Sequence, residues 1–217
     1  MGHERLAFDG WIAGVGTGSG TRVVIGHWLR SPFGTFSDVM LERADGHRVL
    51  FAPTPPTARC IAGVYHFDEV RTGPVTVRVS GTVWEVAADS LALRFTVGRR
   101  GPLGMALRAV PRSLARRPSW AALAALPARA LPGVRTRGSS RPGHRQWYAA
   151  CDLFPITHAV ASLEGTDLGP LAPVLPPVRF GFASAPAAPS LVRVVSTIER
   201  PVHPADGRLG GTDAPGS

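Results

Sequence analysis

Residues 75–97 read VTVRVSGTVWEVAADSLALRFTV and alternate apolar with polar side chains over three successive segments. The side chains on the apolar face are Val75, Val77, Val79, Thr82, Trp84, Val86, Leu91, Leu93, Phe95 and Val97. Such alternation is typical of strands buried on one side, and Ser80-Gly81 and Ala88-Asp89 supply turns between the segments. The pattern predicts a three-stranded antiparallel meander.

The opposite face of this meander carries Arg78, Glu85 and Arg94. Antiparallel pairing places Glu85, on the middle strand, between the two arginines. We interpret the three side chains as a solvated cross-strand ion ladder, because exposed ion pairs of this kind are common and individually weak.

Neighbouring segments extend the β pattern in both directions. Further strands are predicted at residues 6–13, 21–28, 36–43, 47–52, 146–153, 156–163, 178–183 and 191–199. Asp45-Gly46 predicts a two-residue type I′ turn between two of them. Thr54, followed by two prolines, predicts the N-cap of a short helix that continues to Val64.

These elements predict an α+β fold, mainly an antiparallel β barrel or sandwich of about ten strands with a helical insertion in the middle of the chain. The 217 residues suit one domain. We expect a single globular domain over residues 1–200, an Arg-rich helical insertion at about residues 100–145, and a disordered Pro/Gly tail over residues 201–217. A closed sheet of this size can enclose a ligand-sized cavity.

Residues 14–20 alternate glycine with other residues and have the look of a phosphate-binding loop. A dinucleotide fingerprint, however, needs glycine at position 19, which is serine, and a helix after the loop. The residues that follow, Thr21 to Ile25, are instead β-branched and strand-like. We interpret the loop as a flexible hairpin connection or a mobile lid.

Composition excludes several reaction classes. All 24 basic residues are arginine, so Schiff-base, covalent pyridoxal phosphate and P-loop lysine chemistry are excluded. The chain has no asparagine, which excludes a Cys-His-Asn triad and N-linked glycosylation. Two widely spaced cysteines and no signal-peptide pattern favour a reduced, soluble, cytoplasmic protein.

The positive charge is concentrated in one segment. Between Asp89 and Asp152 the sequence contains 12 arginines and no acid, which favours an anionic partner. The residues predicted to form such a surface are Arg99, Arg100, Arg112, Arg116, Arg117, Arg135, Arg137 and Arg141. An anionic membrane surface is the first candidate partner and nucleic acid a weaker one. Codon-driven use of arginine is the alternative.

Residues 21–28 (TRVVIGHW) and 31–42 (SPFGTFSDVMLE) resemble an uncharacterised actinobacterial family. More distantly, the chain length, the hairpin order and the Pro-Phe-Gly-x-Phe segment resemble acetoacetate-decarboxylase-like barrels. That family works through a lysine Schiff base, which this chain cannot form. The resemblance implies a small-molecule cavity with different chemistry, or with none.

Four residues are candidates to bind a small molecule in such a cavity. Asp38 and Glu42 share one strand face and can transfer protons if burial raises one pKa; alternatively they face solvent. Arg179, on a short apolar segment, can clamp a carboxylate or phosphate, or point outward. Tyr148 can contact a ligand or the core. We predict a small-molecule-binding barrel for an anionic or hydrophobic ligand, with peripheral association at an anionic surface as the alternative.

Two further pairs are weaker candidates. His66 and Asp68 can share a strand face, as a metal site or a base with its orienting carboxylate, but no third ligand is apparent. Cys151 and His158 lack any pattern that brings them together. We therefore predict no metal and no cofactor.

Overall fold

The computed structural model describes residues 3–109, 137–138, 145–181 and 185–201. The strands are β1 (His3–Thr17), β2 (Arg22–Arg30), β3 (Phe36–Glu42), β4 (Arg48–Ala52), β5 (Glu69–Thr72), β6 (Val75–Ser80), β7 (Val83–Ala88), β8 (Leu91–Val97), β9 (Arg137–Gly138), β10 (Arg145–Leu163), β11 (Thr166–Asp167), β12 (Leu171–Ala172) and β13 (Ser190–Pro201). The helices are α1 (Pro55–Val64) and α2 (Pro102–Ala109). The prediction of a mainly antiparallel β fold is confirmed.

The strands form one curled sheet in the order β5-β4-β3-β2-β1-β13-β10-β8-β7-β6. Neighbours along this order are antiparallel except β4 and β5, which are parallel. The sheet curls into a half-barrel that remains open. The predicted curvature is therefore present, but the predicted closure of a barrel is not. Of the helical insertion predicted at about residues 100–145, the described part contains helix α2 and the short strand β9, and most of the remainder lies outside the described residues.

The predicted meander is confirmed, with Trp84, Val86, Leu93 and Phe95 buried on its inner face. Glu85 pairs in register with Arg78 and Arg94, as predicted. The predicted type I′ turn at Asp45-Gly46 is wrong. The loop has three residues, and the amide of Gly46 donates to the carbonyl of Arg43. A type I′ turn needs a positive φ at both central residues. Of Asp45 and Gly46, only Gly46 has one, at 93°.

β10 carries the curl of the sheet. Its first half pairs with β13 and its second half with β8, and the register shifts between Ile156 and His158. Two strands, at residues 146–153 and 156–163, were predicted here. Pro155 lies instead where one continuous strand changes partners.

Strands β3 and β4, with residues 13–17 of β1 and 22–26 of β2, are buried on both faces. One face contributes to a first core inside the curl, which contains Ile25, Leu41, Phe51, Leu91 and Phe95. The other face contributes to a second core, which contains Phe8, Phe36, Leu50, Val178 and Phe180. Helix α1, capped by the Thr54 side chain as predicted, covers this second core.

Residues 168–181, here called the crossing segment, complete the cover of the second core. The predicted strand at 178–183 is wrong for its described part, which has no regular structure. A glycine of β1 and one in the turn after it admit the crossing segment at close range. A Cβ on Gly16 would lie 2.1 Å from the carbonyl oxygen of Pro173, and one on Gly18 would lie 2.7 Å from Pro170.

This packing corrects the interpretation of residues 14–20 as a flexible connection or lid. β1 continues to Thr17, and the turn is confined to residues 18–20. The amides of Gly18 and Ser19 donate to the carbonyls of Pro170 and Leu168, both at 2.8 Å. The glycines therefore serve close packing.

Ion pairs join one edge of the sheet to turns in its other half. Arg71, on edge strand β5, contacts Glu69 at 2.6 Å, Asp89 in the β7–β8 turn at 3.0 Å, and Glu164 in the turn after β10 at 3.2 Å. Strand β5 is thus tied across the curl to the turns that follow β7 and β10.

We predict that Gly16→Ala lowers the free energy of unfolding by about 1–3 kcal/mol, because the added methyl group meets backbone atoms of the crossing segment. Chemical denaturation measures this change. Gly63→Ala is the control, since a Cβ there meets no atom within 4 Å and alanine favours a helix. Equal stability of Gly16→Ala and wild type would contradict the packing described for β1.

Candidate functional site

Asp38 and Glu42 both face the second core from β3. The Asp38 residue is 3% exposed and Glu42 is 0% exposed. The alternative that these carboxylates face solvent is therefore wrong. A buried carboxylate needs a compensating partner or a proton, and the two residues meet this need differently.

Glu42 is held by two arginines. Arg22, itself buried, contacts Oε1 at 2.7 Å. Arg179 donates its backbone amide to Oε2 at 2.6 Å and its Nε to Oε1 at 3.1 Å, although its side chain is 70% exposed. Arg179 was predicted to clamp the carboxylate or phosphate of a ligand, but it binds a carboxylate of the protein itself. This contact fixes the crossing segment to β3.

Asp38 has a neutral partner. The indole Nε1 of Trp28 donates to its Oδ1 at 2.8 Å. Gly26, opposite Asp38 on β2, leaves room for this bond, because a Cβ there would lie 2.5 Å from Oδ1. Within the described part of the chain, no arginine or histidine forms an ion pair with Asp38.

Burial raises the pKa of Asp38 to about 7, and the hydrogen bond from Trp28 opposes this only in part. Desolvation disfavours the charged form, and no cation compensates for it. The condition set by sequence analysis for proton transfer, a carboxyl group with a raised pKa, is met at Asp38.

Two tyrosines and a glutamine complete the site. The hydroxyls of Tyr65, at the end of α1, and Tyr148, on β10, contact each other. Gln146 donates its Nε2 to the Tyr65 hydroxyl at 3.2 Å. Burial raises the pKa of Tyr148 to about 12 and that of Tyr65 as well, and the Asp38 charge acts on both in the same direction.

We call Trp28, Asp38, Tyr65, Gln146 and Tyr148 the Asp38 cluster. Sequence analysis selected Asp38 and Tyr148, and the structure brings them together. It missed the other three. Pairing of residues 21–28 with 36–43 could have placed Trp28 beside Asp38. Tyr65 and Gln146 come from separate elements and carry no local signal, except that Gln146 is the only side-chain amide in the chain.

One polar atom of the Asp38 cluster is left unsatisfied. Gln146 is 0% exposed, and its Oε1 has no hydrogen-bond partner. An unpaired buried acceptor costs about 1–3 kcal/mol. The cluster therefore has an acceptor for a group that the described residues do not supply.

Aromatic rings form one wall beside the Asp38 cluster. Phe8 packs edge-to-face on Trp28, with ring centroids 5.5 Å apart, and Phe33 and Phe36 pack around Phe8. Trp28, Phe33 and Tyr148 are only partly buried. The cluster thus reaches the surface along an aromatic edge.

The opposite face of the same strands carries a separate pair. His27 and Ser37 are cross-strand partners whose Nδ1 and Oγ lie 2.9 Å apart, and the imidazole packs edge-on to Trp84. Burial lowers the pKa of His27. Ser37 provides a control position next to Asp38 that faces away from the Asp38 cluster.

The weaker candidates are not brought together. Both oxygens of Asp68 accept from Arg48 at 2.9 Å, and His66 uses its backbone amide to bind the carbonyl of Phe180 at 2.7 Å. Among the residues with described positions, no group of three metal-ligating side chains occurs. Cys151 and His158 lie on the same strand, β10.

The predicted anionic surface is described only in part. Arg99 is exposed, but Arg100 bonds both oxygens of Asp152 at 2.7 and 2.9 Å and lies over the ring of Phe154. Arg137 is a backbone partner of β10 within β9. The remaining residues of this prediction, Arg112, Arg116, Arg117, Arg135 and Arg141, lie outside the described residues.

The described helices include none with the length and apolar character needed to cross a bilayer. No family model matches this chain, and neither a curated protein nor a solved structure matches it. The resemblance to acetoacetate-decarboxylase-like barrels therefore stays a prediction.

We predict that Glu42→Gln lowers the free energy of unfolding by about 3–5 kcal/mol, because it leaves the buried charge of Arg22 uncompensated. Chemical denaturation measures the loss. Glu85→Gln, in an exposed pair with Arg94, is the matched control and should change stability little. Similar effects of the two substitutions would contradict the role given to Glu42.

We predict that Asp38 makes the protein less stable as the pH rises from its ordinary pKa of 3.8 towards about 7. In this window the folded state keeps a proton that the unfolded chain has released, so the free energy of unfolding falls by at most about 1.4 kcal/mol per pH unit. Asp38→Asn should remove this slope. Denaturation of both proteins at pH 5 and pH 7 tests this prediction. The titration of His27 contributes equally to both proteins and therefore cancels when their free energies of unfolding are subtracted. Parallel profiles would contradict the raised pKa.

Proposed function

We propose that this protein binds a small molecule at the Asp38 cluster, beside the aromatic edge of the second core. The observation that carries this proposal is the unsatisfied Oε1 of Gln146, whose amide is linked through the Tyr65 hydroxyl to the surroundings of a buried carboxyl group, Asp38, that has only a neutral hydrogen-bond donor. Sites for small molecules combine apolar walls with a few convergent polar groups. The arrangement supports the small-molecule-binding fold predicted from the sequence.

A purely structural role explains the Asp38 cluster less well. The other buried carboxylate of β3, Glu42, is compensated by Arg22 and Arg179. In the Asp38 cluster, by contrast, the buried carboxyl group has a neutral donor, Trp28, and Oε1 of the buried Gln146 has no hydrogen-bond partner. Buried polar groups usually have hydrogen-bond partners. The missing partner therefore favours a bound group that would supply it.

The chemistry available to such a site is limited but definite. A carboxyl group with a pKa of about 7 can donate or accept a proton near neutral pH. The lysine Schiff base of the acetoacetate-decarboxylase family is excluded by composition. Asp38 is therefore the group through which we infer any proton transfer to a bound molecule.

The alternative of association with an anionic surface stays a prediction. The residues that would carry it lie mostly outside the described residues, and Arg100 is bound to Asp152. A cytoplasmic location likewise stays a prediction.

Mass spectrometry of the purified protein under native and denaturing conditions tests the proposal. We expect a discrete small molecule that leaves on unfolding, and we expect Asp38→Asn to lose it. Ser37→Ala is the matched control, since Ser37 is adjacent in sequence but bonds His27 on the opposite face. The variant should retain the molecule.

Two results together would contradict the proposal. One is an equal mass under native and denaturing conditions. The other is an NMR screen of small aromatic fragments in which no compound shifts the indole N–H resonance of Trp28, the residue that bonds Asp38.

A further inference from the structure

We propose that the ligand of the Asp38 cluster is an organic cation: a protonated amine attached to an aromatic or apolar group. This inference rests on the proposed function and specifies its ligand class. It follows from three properties of the site, namely its missing cation, its surplus of hydrogen-bond acceptors and its aromatic wall.

The missing cation is specific to Asp38. The other buried carboxylates in the described residues have arginine partners: Glu42 binds Arg22, and Asp152 binds Arg100. The half-buried Asp9 binds Arg30 and Arg193. The chain has 24 arginines for 15 acids, yet none of the described ones is placed beside Asp38. A cationic ligand would supply the charge that the fold supplies elsewhere.

Two groups of the Asp38 cluster are available as hydrogen-bond acceptors. The Asp38 carboxylate is one, and the unsatisfied Oε1 of Gln146 is the other. A primary ammonium group has three N–H donors and no acceptor, so it complements this set. A carboxylate or phosphate ligand would instead place acceptors against acceptors.

The aromatic wall provides the rest of the recognition. Trp28 combines a ring face with the hydrogen bond to Asp38, and Phe8, Phe33 and Phe36 lie beside it. Cations bind favourably to the faces of tryptophan, tyrosine and phenylalanine, and most strongly when the site is desolvated. The apolar part of such a ligand would pack on the same rings. An anion would find no described cation next to Asp38.

Three probes of one shape but different charge test the inference: benzylammonium, benzyl alcohol and benzoate. Their binding is measured by calorimetry, with the indole N–H resonance of Trp28 as the site reporter. The measurement is made at pH 8, where Asp38 is ionised because its pKa is about 7. We expect benzylammonium to bind about tenfold or more tighter than benzyl alcohol, and benzoate to bind weakest.

The matched variants separate charge from shape. Asp38→Asn keeps an oxygen that accepts from Trp28 and removes the charge, so it should weaken benzylammonium about tenfold and leave benzyl alcohol unchanged. Ser37→Ala should change neither. Circular dichroism and denaturation of Asp38→Asn establish that it is folded.

The outcomes are distinct. Benzyl alcohol that binds as tightly as benzylammonium, or an affinity for benzylammonium that Asp38→Asn leaves intact, would overturn the cation inference while the proposed binding site stands. Tightest binding of benzoate would assign the site to anions and overturn the inference as well. If none of the three probes binds or shifts Trp28, the cation inference is overturned, and the proposed function is decided by the mass spectrometry and the fragment screen described for it.

Discussion

Burial of β3 on both faces is the constraint on which the rest of the structure depends. All seven residues of this strand are buried, so its two carboxyl groups lie in a core and cannot be hydrated. Glu42 resolves this with two arginines, one of which belongs to the crossing segment. Asp38 resolves it with a raised pKa and a bond from Trp28. The same burial thus produces a structural anchor and a candidate binding site on one strand.

Local patterns predicted the elements of the fold but not the way the elements cover one another. The meander over residues 75–97 and the helix after Thr54 follow from alternation and capping, which act over a few residues. The second cover of β1 to β4 comes from the crossing segment, which has no periodic pattern. Without that cover, Gly16 reads as a flexible residue, whereas it admits the backbone of Pro173.

In the candidate site, too, local patterns predicted some features, whereas contacts between distant segments were not predicted. The strand face shared by Asp38 and Glu42 follows from a period of two, and so does the position of Gly26 opposite Asp38. The contact of Tyr65 with Tyr148 joins α1 to β10 and depends on the curl of the whole sheet. No short-range rule relates these residues. The sequence equally did not show which carboxyl group would gain an arginine, because Arg179 reaches Glu42 from a stretch, residues 178–181, that has no regular structure.

The placement of β13 between β1 and β10 has a consequence for biosynthesis. β13 is the last strand of the sheet to be translated, yet it fills a central position, with His3 opposite Pro201. Until β13 leaves the ribosome, β1 lacks its partner along residues 3–14 and β10 lacks its partner along residues 145–155. Pairing between such distant segments is slow and leaves strand edges open to aggregation. Both strand edges of the nascent chain therefore stay open until β13 has been synthesised.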